Sequence, residues 1–158
     1  MNNAEGEVIS PEPLVVSNVS IQKVDCFGNS TGQAIVDVIG GTMPYDYLWN
    51  DPLGQASDTI RLLAVGTYEV QITDQNNCTT SQIVTITEPE PLQLSIDATD
   101  VNCFDGSDGT AIAVVDGGTL PYQYAWSDSA TQTTQTALNL VAGMYNVDVV
   151  DANNCEIG

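Results

Sequence analysis

The chain has 158 residues, of which 21 are Asp or Glu and two are Lys or Arg, so its net charge at pH 7 is −19. Such a surface cannot neutralise phosphates, which excludes nucleic acid as a partner, and it also disfavours docking on anionic lipid. No apolar stretch approaches the length of a membrane span, so we predict no membrane insertion. With no His and no motif for a nucleophile or a phosphate loop, we predict that the chain is not an enzyme.

Nearly every segment is predicted to form a β-strand. The clearest strands are rich in β-branched and aromatic residues at a period of two, and they lie at 34–38, 68–73, 82–87 and 145–150. Glycine, proline and asparagine turns separate them about every ten residues, a spacing that is typical of a β-sandwich. No helix of three turns is predicted.

The chain contains an internal repeat. Residues 24–78 (the first copy) and 101–155 (the second copy) align without a gap at an offset of 77, and 26 of the 55 positions are identical. The shared residues are mainly Gly, Pro, Cys, Tyr, Trp and aliphatic residues, which shape turns and cores. Among the acidic residues only two pairs recur, Asp51 with Asp128 and Asp74 with Asp151. The repeated information is therefore architectural.

Two modules are predicted, 11–88 and 89–158. Each begins at a proline-rich segment, Pro11-Glu12-Pro13 or Pro89-Glu90-Pro91, which favours a stiff and extended connection. Residues 1–10 are interpreted as the tail of a preceding repeat or as a short lead segment that does not belong to the repeats. The second module ends three residues after its last cysteine, so its last strand is expected to be truncated.

Four cysteines have the same spacing in the two copies. We predict the bonds Cys26–Cys78 and Cys103–Cys155, because one cross-link in each module would stabilise a small core. Free buried thiols are the alternative, and zinc is disfavoured because the chain has no His and no Cys-x-x-Cys. Disulfides indicate an oxidising, extracellular location.

Aromatic residues alternate along one strand of each copy. Tyr45, Tyr47 and Trp49 share a face, as do their equivalents in the second copy, and we expect them in the core. A sugar-stacking platform is the alternative. Leu63-x-x-Gly66-x-Tyr68 predicts a tyrosine corner, as found in immunoglobulin-like sandwiches. The predicted fold class is all-β, with tandem immunoglobulin-like (PKD-like) antiparallel β-sandwiches.

Four motifs occur in the same order in each copy: Cys-Phe-x(4)-Gly, Gly-Gly-Thr-x-Pro-Tyr-x-Tyr-x-Trp, Gly-x-Tyr-x-Val and Asp-x-x-x-Cys. This combination resembles the SprB-type repeat of bacterial surface adhesins associated with gliding motility. The resemblance implies a β-sandwich module that is repeated in a very large secreted protein of the cell surface. It implies a role in attachment and movement and does not identify a ligand.

A calcium site is conceivable at Asp105 and Asp108, where two carboxylates flank glycine-permitted turns. The first copy has Gly28 and Thr31 at these positions, so a solvated turn is the simpler interpretation. No other cofactor is expected.

The function that we predict is a structural or adhesive repeat module that forms a rod or stalk for attachment or gliding. A carbohydrate-binding module that contacts surface glycans is the alternative. The expected partners are neighbouring repeats of the same protein. A further possibility is head-to-tail self-association, in which residues Glu5 to Ile9 supply the missing last strand of a second molecule.

Overall fold

The computed structural model describes residues 10–158. They form two compact units. Unit 1 contains the described residues up to Val24 together with Ser30–Thr87, and unit 2 contains Asp25–Asn29 together with Glu88–Gly158. The short segment Asp25–Asn29 therefore belongs to the second unit, which the division of the sequence at 88/89 did not anticipate. The proposed donor segment Glu5 to Ile9 lies outside the described residues.

Unit 1 consists of two three-stranded antiparallel sheets. The first has the order β1-β2-β4 and the second the order β3-β5-β6. The strands are β1 (Val15–Gln22), β2 (Gly32–Ile39), β3 (Asp46–Trp49), β4 (Thr59–Leu63), β5 (Gly66–Thr73) and β6 (Thr79–Ile86).

Alternation along the strands builds the core of unit 1. In β2, Ala34 and Val36 are buried, and in β5, Val70 and Ile72 are buried, while their neighbours are exposed or half-buried. These side chains pack with Trp49 in one apolar cluster. The predicted strands at 34–38, 68–73 and 82–87 correspond to β2, β5 and β6.

Unit 2 repeats this arrangement with a shorter final sheet. Its sheets have the orders β10-β8-β7 and β12-β11-β9. The strands are β7 (Gln93–Thr99), β8 (Gly109–Asp116), β9 (Gln123–Trp126), β10 (Thr136–Leu140), β11 (Val147–Val150) and β12 (Glu156–Ile157).

The strand predicted at 145–150 begins only at Val147, so β11 has four residues where β5 has eight. In unit 1 the first half of β5 pairs with the second half of β6, from Gly66 opposite Ile86 onwards. The corresponding strand β12 has two residues, which pair with the end of β11. On the side of β12, the first half of β11 is therefore unpaired.

The two sheets of each unit follow the immunoglobulin pattern. If the strands of unit 1 are lettered A, B, C, E, F and G, its sheets are A-B-E and C-F-G, an immunoglobulin arrangement without strand D. The prediction of tandem immunoglobulin-like sandwiches is confirmed. None of residues 10–158 lies in a helix, and hence no helix there could span a membrane.

Candidate functional site: the cysteine loop and the repeat turns

The cysteine pairing that we predicted is wrong. The structure joins Cys26 to Cys155, which are 129 residues apart, and leaves Cys78 and Cys103 free and exposed. The physical reason is the position of the segment Asp25–Asn29, which we call the first cysteine loop. It packs in unit 2 and carries Cys26 to Cys155, whereas Cys78 follows β5 in unit 1. The bond thus joins the first cysteine of the first copy to the second cysteine of the second copy.

Hydrogen bonds hold the first cysteine loop in place. The loop closes in a turn, in which Asn29 N donates to the Cys26 carbonyl over 3.1 Å. Gly28 N donates to the Glu88 carboxylate over 2.7 Å. On the other side, the Asn153 side-chain amide donates to the Asp25 carbonyl over 2.9 Å. The loop is therefore attached to unit 2 by hydrogen bonds as well as by the disulfide.

The surface that receives the loop, which we call the acceptor face, comprises Glu88, Pro89, Pro91, Asn153 and Cys155. With Cys26 and Phe27, most of these residues line a cleft of about 450 Å³. All five are half-buried. Sequence reasoning did not find this face, because its residues lie in two separate motifs, Pro89-Glu90-Pro91 and Asp-x-x-x-Cys, and no local pattern indicates that the two come together.

The recurring aspartates are the buried charged residues of the described chain, namely Asp51, Asp74, Asp128 and Asp151. Asp74 and Asp151 fix the turn that precedes the second cysteine of each copy. The Asp151 carboxylate accepts bonds from the backbone N–H groups of Thr119, Asn153 and Cys155 over 2.8–2.9 Å. The equivalent groups in the first copy bind Asp74 in the same way.

Hydrogen bonds of this kind lower the pKa of two of the four aspartates, Asp74 and Asp128. Burial alone would raise the pKa of Asp74, but the backbone N–H groups that donate to it outweigh burial, so its pKa lies below the ordinary value. Asp128 behaves alike. The Gln132 backbone N–H makes the largest contribution to lowering the pKa of Asp128, against the effect of burial. Both acids therefore stabilise turns, and neither is placed to donate a proton near neutral pH.

The tryptophans lie in the cores, as we expected. Trp49 is 3% exposed and Trp126 is 4% exposed, and each indole N–H donates to a backbone carbonyl of a neighbouring loop over 2.8–2.9 Å. Tyr47 and Tyr124 are half-buried against the same cores, and burial is the main cause that raises the pKa of both phenols. The aromatic row expected for a sugar platform is not exposed in either unit.

The tyrosine corner is present in both copies. The Tyr68 hydroxyl donates to the Ala64 carbonyl over 3.1 Å, and the Tyr145 hydroxyl donates to the Val141 carbonyl over 2.9 Å. The bond lies near the start of β5 in unit 1 and just before β11 in unit 2.

The two residues proposed for calcium, Asp105 and Asp108, differ in their surroundings. The Asp108 carboxylate accepts bonds from the backbone N–H and the side-chain amide of Asn102, and the side-chain bond is the larger cause that lowers its pKa. Asp105 is exposed in the turn. No group of three or more His, Cys, Asp or Glu in residues 10–158 could hold a metal ion. Asp108 therefore fixes its own loop.

A second apolar cleft, of about 400 Å³, opens in unit 2 beside Trp126, Gly109 and Gly143. The equivalent place in unit 1 is filled by β6. A Cβ atom on Gly32, the equivalent of Gly109, would lie 2.7 Å from Ile86 Cγ2. The cleft thus marks the place of the strand that pairs with the first half of β5 in unit 1.

Comparison with known protein families gives a match in each copy of the repeat. The model of the SprB repeat family matches two segments of the chain, 18–54 and 95–131. The resemblance inferred from the motifs is thereby confirmed, and the two matched segments are again 77 residues apart.

Similarity to other proteins extends over most of the chain. S-layer protein B of Metallosphaera sedula is 29% identical over 147 residues, which cover 92% of this chain and 32% of that protein. Among solved structures, one titled "Structural basis for Dscam isoform specificity" has a TM-score of 0.38 and 14% identity over 92% of this chain and 44% of its own. The "Crystal structure of Dscam1 isoform 9.44, N-terminal four Ig domains" has a TM-score of 0.37 and 10% identity over 94% and 44%.

Proposed function

We propose that this chain is a structural segment of a large secreted protein of the cell surface, where its repeats form part of a rod or stalk used for attachment or gliding. The observation that carries the proposal is the role of the residues common to both copies. Trp49 and Trp126 fill cores, and the recurring aspartates bind turns. None of these groups is free to contact a substrate.

The SprB repeats and the similarity to an S-layer protein support a surface role. The acidity of the chain fits the same role, because like charge keeps neighbouring segments soluble and apart. A disulfide fits an oxidising compartment outside the cell. These properties suit a spacer, whose activity depends on its length and stability.

The test is a replacement in the parent surface protein. The two repeats are exchanged for two unrelated immunoglobulin-like domains of the same length, and attachment and gliding of the cells are measured. A spacer predicts that both activities survive the exchange, whereas deletion of the segment without replacement impairs them. Loss of attachment on exchange, together with glycan binding by the isolated repeats, would contradict the proposal and favour the carbohydrate-binding alternative.

Location is tested separately. Intact cells are treated with a membrane-impermeant amine reagent and with external protease, and the repeats are then detected with an antibody. We expect the repeats to be labelled and cleaved without lysis. Protection of the repeats in intact cells would overturn the surface assignment.

A further inference from the structure

We propose that Cys78 and Cys103, the free cysteines of this chain, serve in a second junction. By junction we mean the arrangement seen at Cys26 and Cys155, in which a cysteine loop docks on an acceptor face and a disulfide joins the two. The loop that carries Cys103 would dock on the Cys78 face of another copy of this repeat and form a disulfide there. The disulfides of the repeat would then join one copy to another, and no disulfide would form within a copy. The partner is thus another SprB repeat, either the adjoining one in a longer chain or one in a second molecule.

The junction is already present once in the structure. Cys26 and Cys155 form a bond, and their equivalents at the offset of 77 are Cys103 and Cys78. In the junction both cysteines are half-buried, whereas both equivalents are exposed free thiols. Within residues 10–158, the loop at Cys103 and the face at Cys78 therefore have no disulfide partner.

Residues 102–106, which we call the second cysteine loop, have the turn conformation of the first cysteine loop. Gly106 N donates to the Cys103 carbonyl over 2.9 Å, which is the bond that Asn29 N makes with Cys26. Asp108 fixes the start of this loop through Asn102. The loop needs no refolding to dock, so little conformational entropy is lost on binding.

Phe104 is the clearest sign that the second loop lacks its partner. It is 96% exposed, whereas its equivalent Phe27, at the docked loop, is 55% exposed and lines the cleft of the acceptor face. An almost fully exposed phenylalanine next to an exposed thiol has a cost in water that docking on an apolar cleft would remove.

The acceptor face is also formed in unit 1. Gly41 N donates to the Glu12 carbonyl over 2.9 Å, as Gly118 N does to the Glu90 carbonyl in unit 2. The Asn76 amide donates to the Thr42 hydroxyl over 2.9 Å, so it is held where Asn153 is held in the second copy.

In the linker, Pro11 and Pro13 take the places of Pro89 and Pro91 and are exposed where the latter are half-buried. One position differs: Ser10 replaces Glu88. A hydroxyl oxygen can still accept the bond that the loop N–H donates.

The chemistry is a thiol–disulfide exchange with a low-molecular-weight disulfide such as oxidised glutathione. The Cys103 thiolate attacks one glutathione sulfur, forms a mixed disulfide and releases one glutathione thiolate. The Cys78 thiolate of the second copy then attacks the Cys103 sulfur and releases the second glutathione. Two protein thiols are oxidised, and one glutathione disulfide is reduced to two thiols, so electrons and protons balance.

The experiment uses the 158-residue chain and two variants, Cys78→Ser and Cys103→Ser, in a glutathione redox buffer at physiological salt or above, which screens the acidic surfaces. We expect the unmodified chain to form a ladder of covalent oligomers on non-reducing electrophoresis. Each variant alone stays largely monomeric. The equimolar mixture forms a heterodimer, and peptide mapping finds Cys103 bonded to Cys78. We expect the heterodimer to exceed either homodimer by about tenfold, the ratio that a modest docking preference produces.

Docking is separated from simple thiol oxidation by a matched pair of changes in the Cys78→Ser variant. Phe104→Ser should slow heterodimer formation, whereas Met144→Ser, at an equally exposed residue outside the loop, should leave the rate unchanged. Three results would each overturn the proposal: equal rates for homodimers and heterodimer, an intramolecular Cys78–Cys103 bond in the unmodified chain, or insensitivity to Phe104→Ser. Because the test needs only the isolated chain, its failure would leave the proposed surface function untouched.

Discussion

Removing the observed disulfide should destabilise the chain strongly. The perturbation is the double variant Cys26→Ser with Cys155→Ser, which leaves no unpaired partner. For a bond that closes a loop with a sequence separation of 129, the chain-entropy model gives about 5 kcal/mol, and losses for native disulfides in small secreted domains are about 2–5 kcal/mol. Marginal stability of small domains makes such a loss large enough to measure.

Chemical unfolding with urea measures the effect, and the two tryptophans show where it acts. Trp49 lies in the core of unit 1 and Trp126 in the core of unit 2, so a Trp→Phe change at one site leaves the fluorescence of the other as a probe. Because the first cysteine loop and Cys155 both belong to unit 2, we expect the transition reported by Trp126 to shift most.

The matched control is Cys78→Ser with Cys103→Ser, which removes the exposed free thiols and leaves the disulfide intact. We expect the free energy of unfolding of this variant to stay within about 0.5 kcal/mol of the parent value, as for ordinary surface changes. If both double variants lost the same stability, the pairing within each copy would be correct and the junction described above would be wrong. If neither lost stability, the disulfide would not contribute to the fold.

Three further outcomes are expected. The pKa of Asp74 lies below its ordinary value of 3.8 in the folded chain, so its carboxylate contributes its full stability above that pH. This contribution is lost as the pH falls toward the lower pKa of the folded chain. In the Asp74→Asn variant, the urea concentration at the midpoint of unfolding should therefore depend less on pH below 3.8 than in the parent chain. Gly40 and Gly54 both have positive φ, but only at Gly40 would a Cβ atom collide with a backbone carbonyl. Gly54→Ala should therefore cost about 1–2 kcal/mol and Gly40→Ala more, as thermal unfolding would measure. A peptide with the sequence of residues 79–87 should fill the second cleft and change the fluorescence of Trp126 saturably, whereas a scrambled peptide should not.

The fold could be predicted from the sequence because its signals are local. Period-two alternation determined the strands around Val36 and Val70, which are buried as expected. The spacing from Leu63 to Tyr68 was sufficient to predict a bond from the tyrosine hydroxyl to a nearby backbone carbonyl. The strand predicted at 145–150 begins later, at Val147, and β12 pairs only with Val149 and Val150. The short last strand was expected from the sequence, but its effect on the start of β11 was not, because pairing between strands is nonlocal.

The disulfide pairing could not be predicted for a different reason. In a periodic sequence, a bond within a copy and a bond from one copy to the next leave the same pattern of cysteines, because each cysteine recurs at the same offset. Only the packing of the loop around Cys26 distinguishes the two, and its contacts with Glu88 and Asn153 are nonlocal. Connectivity follows from tertiary structure and not from spacing.

The two pairings differ in what they would do for a stalk. If each module closed its own disulfide, residues 79–102 would lie outside every covalent loop, and a pulling force could extend them. The Cys26–Cys155 bond instead encloses that whole segment together with Cys78 and Cys103. If the same bond recurs from copy to copy, as we propose, the loop that starts at Cys103 begins inside the previous one. Successive loops then overlap, and each linker they enclose is bypassed by a covalent bond. An array connected in this way would resist extension even where a single module unfolds, which is the property that a surface stalk under load requires.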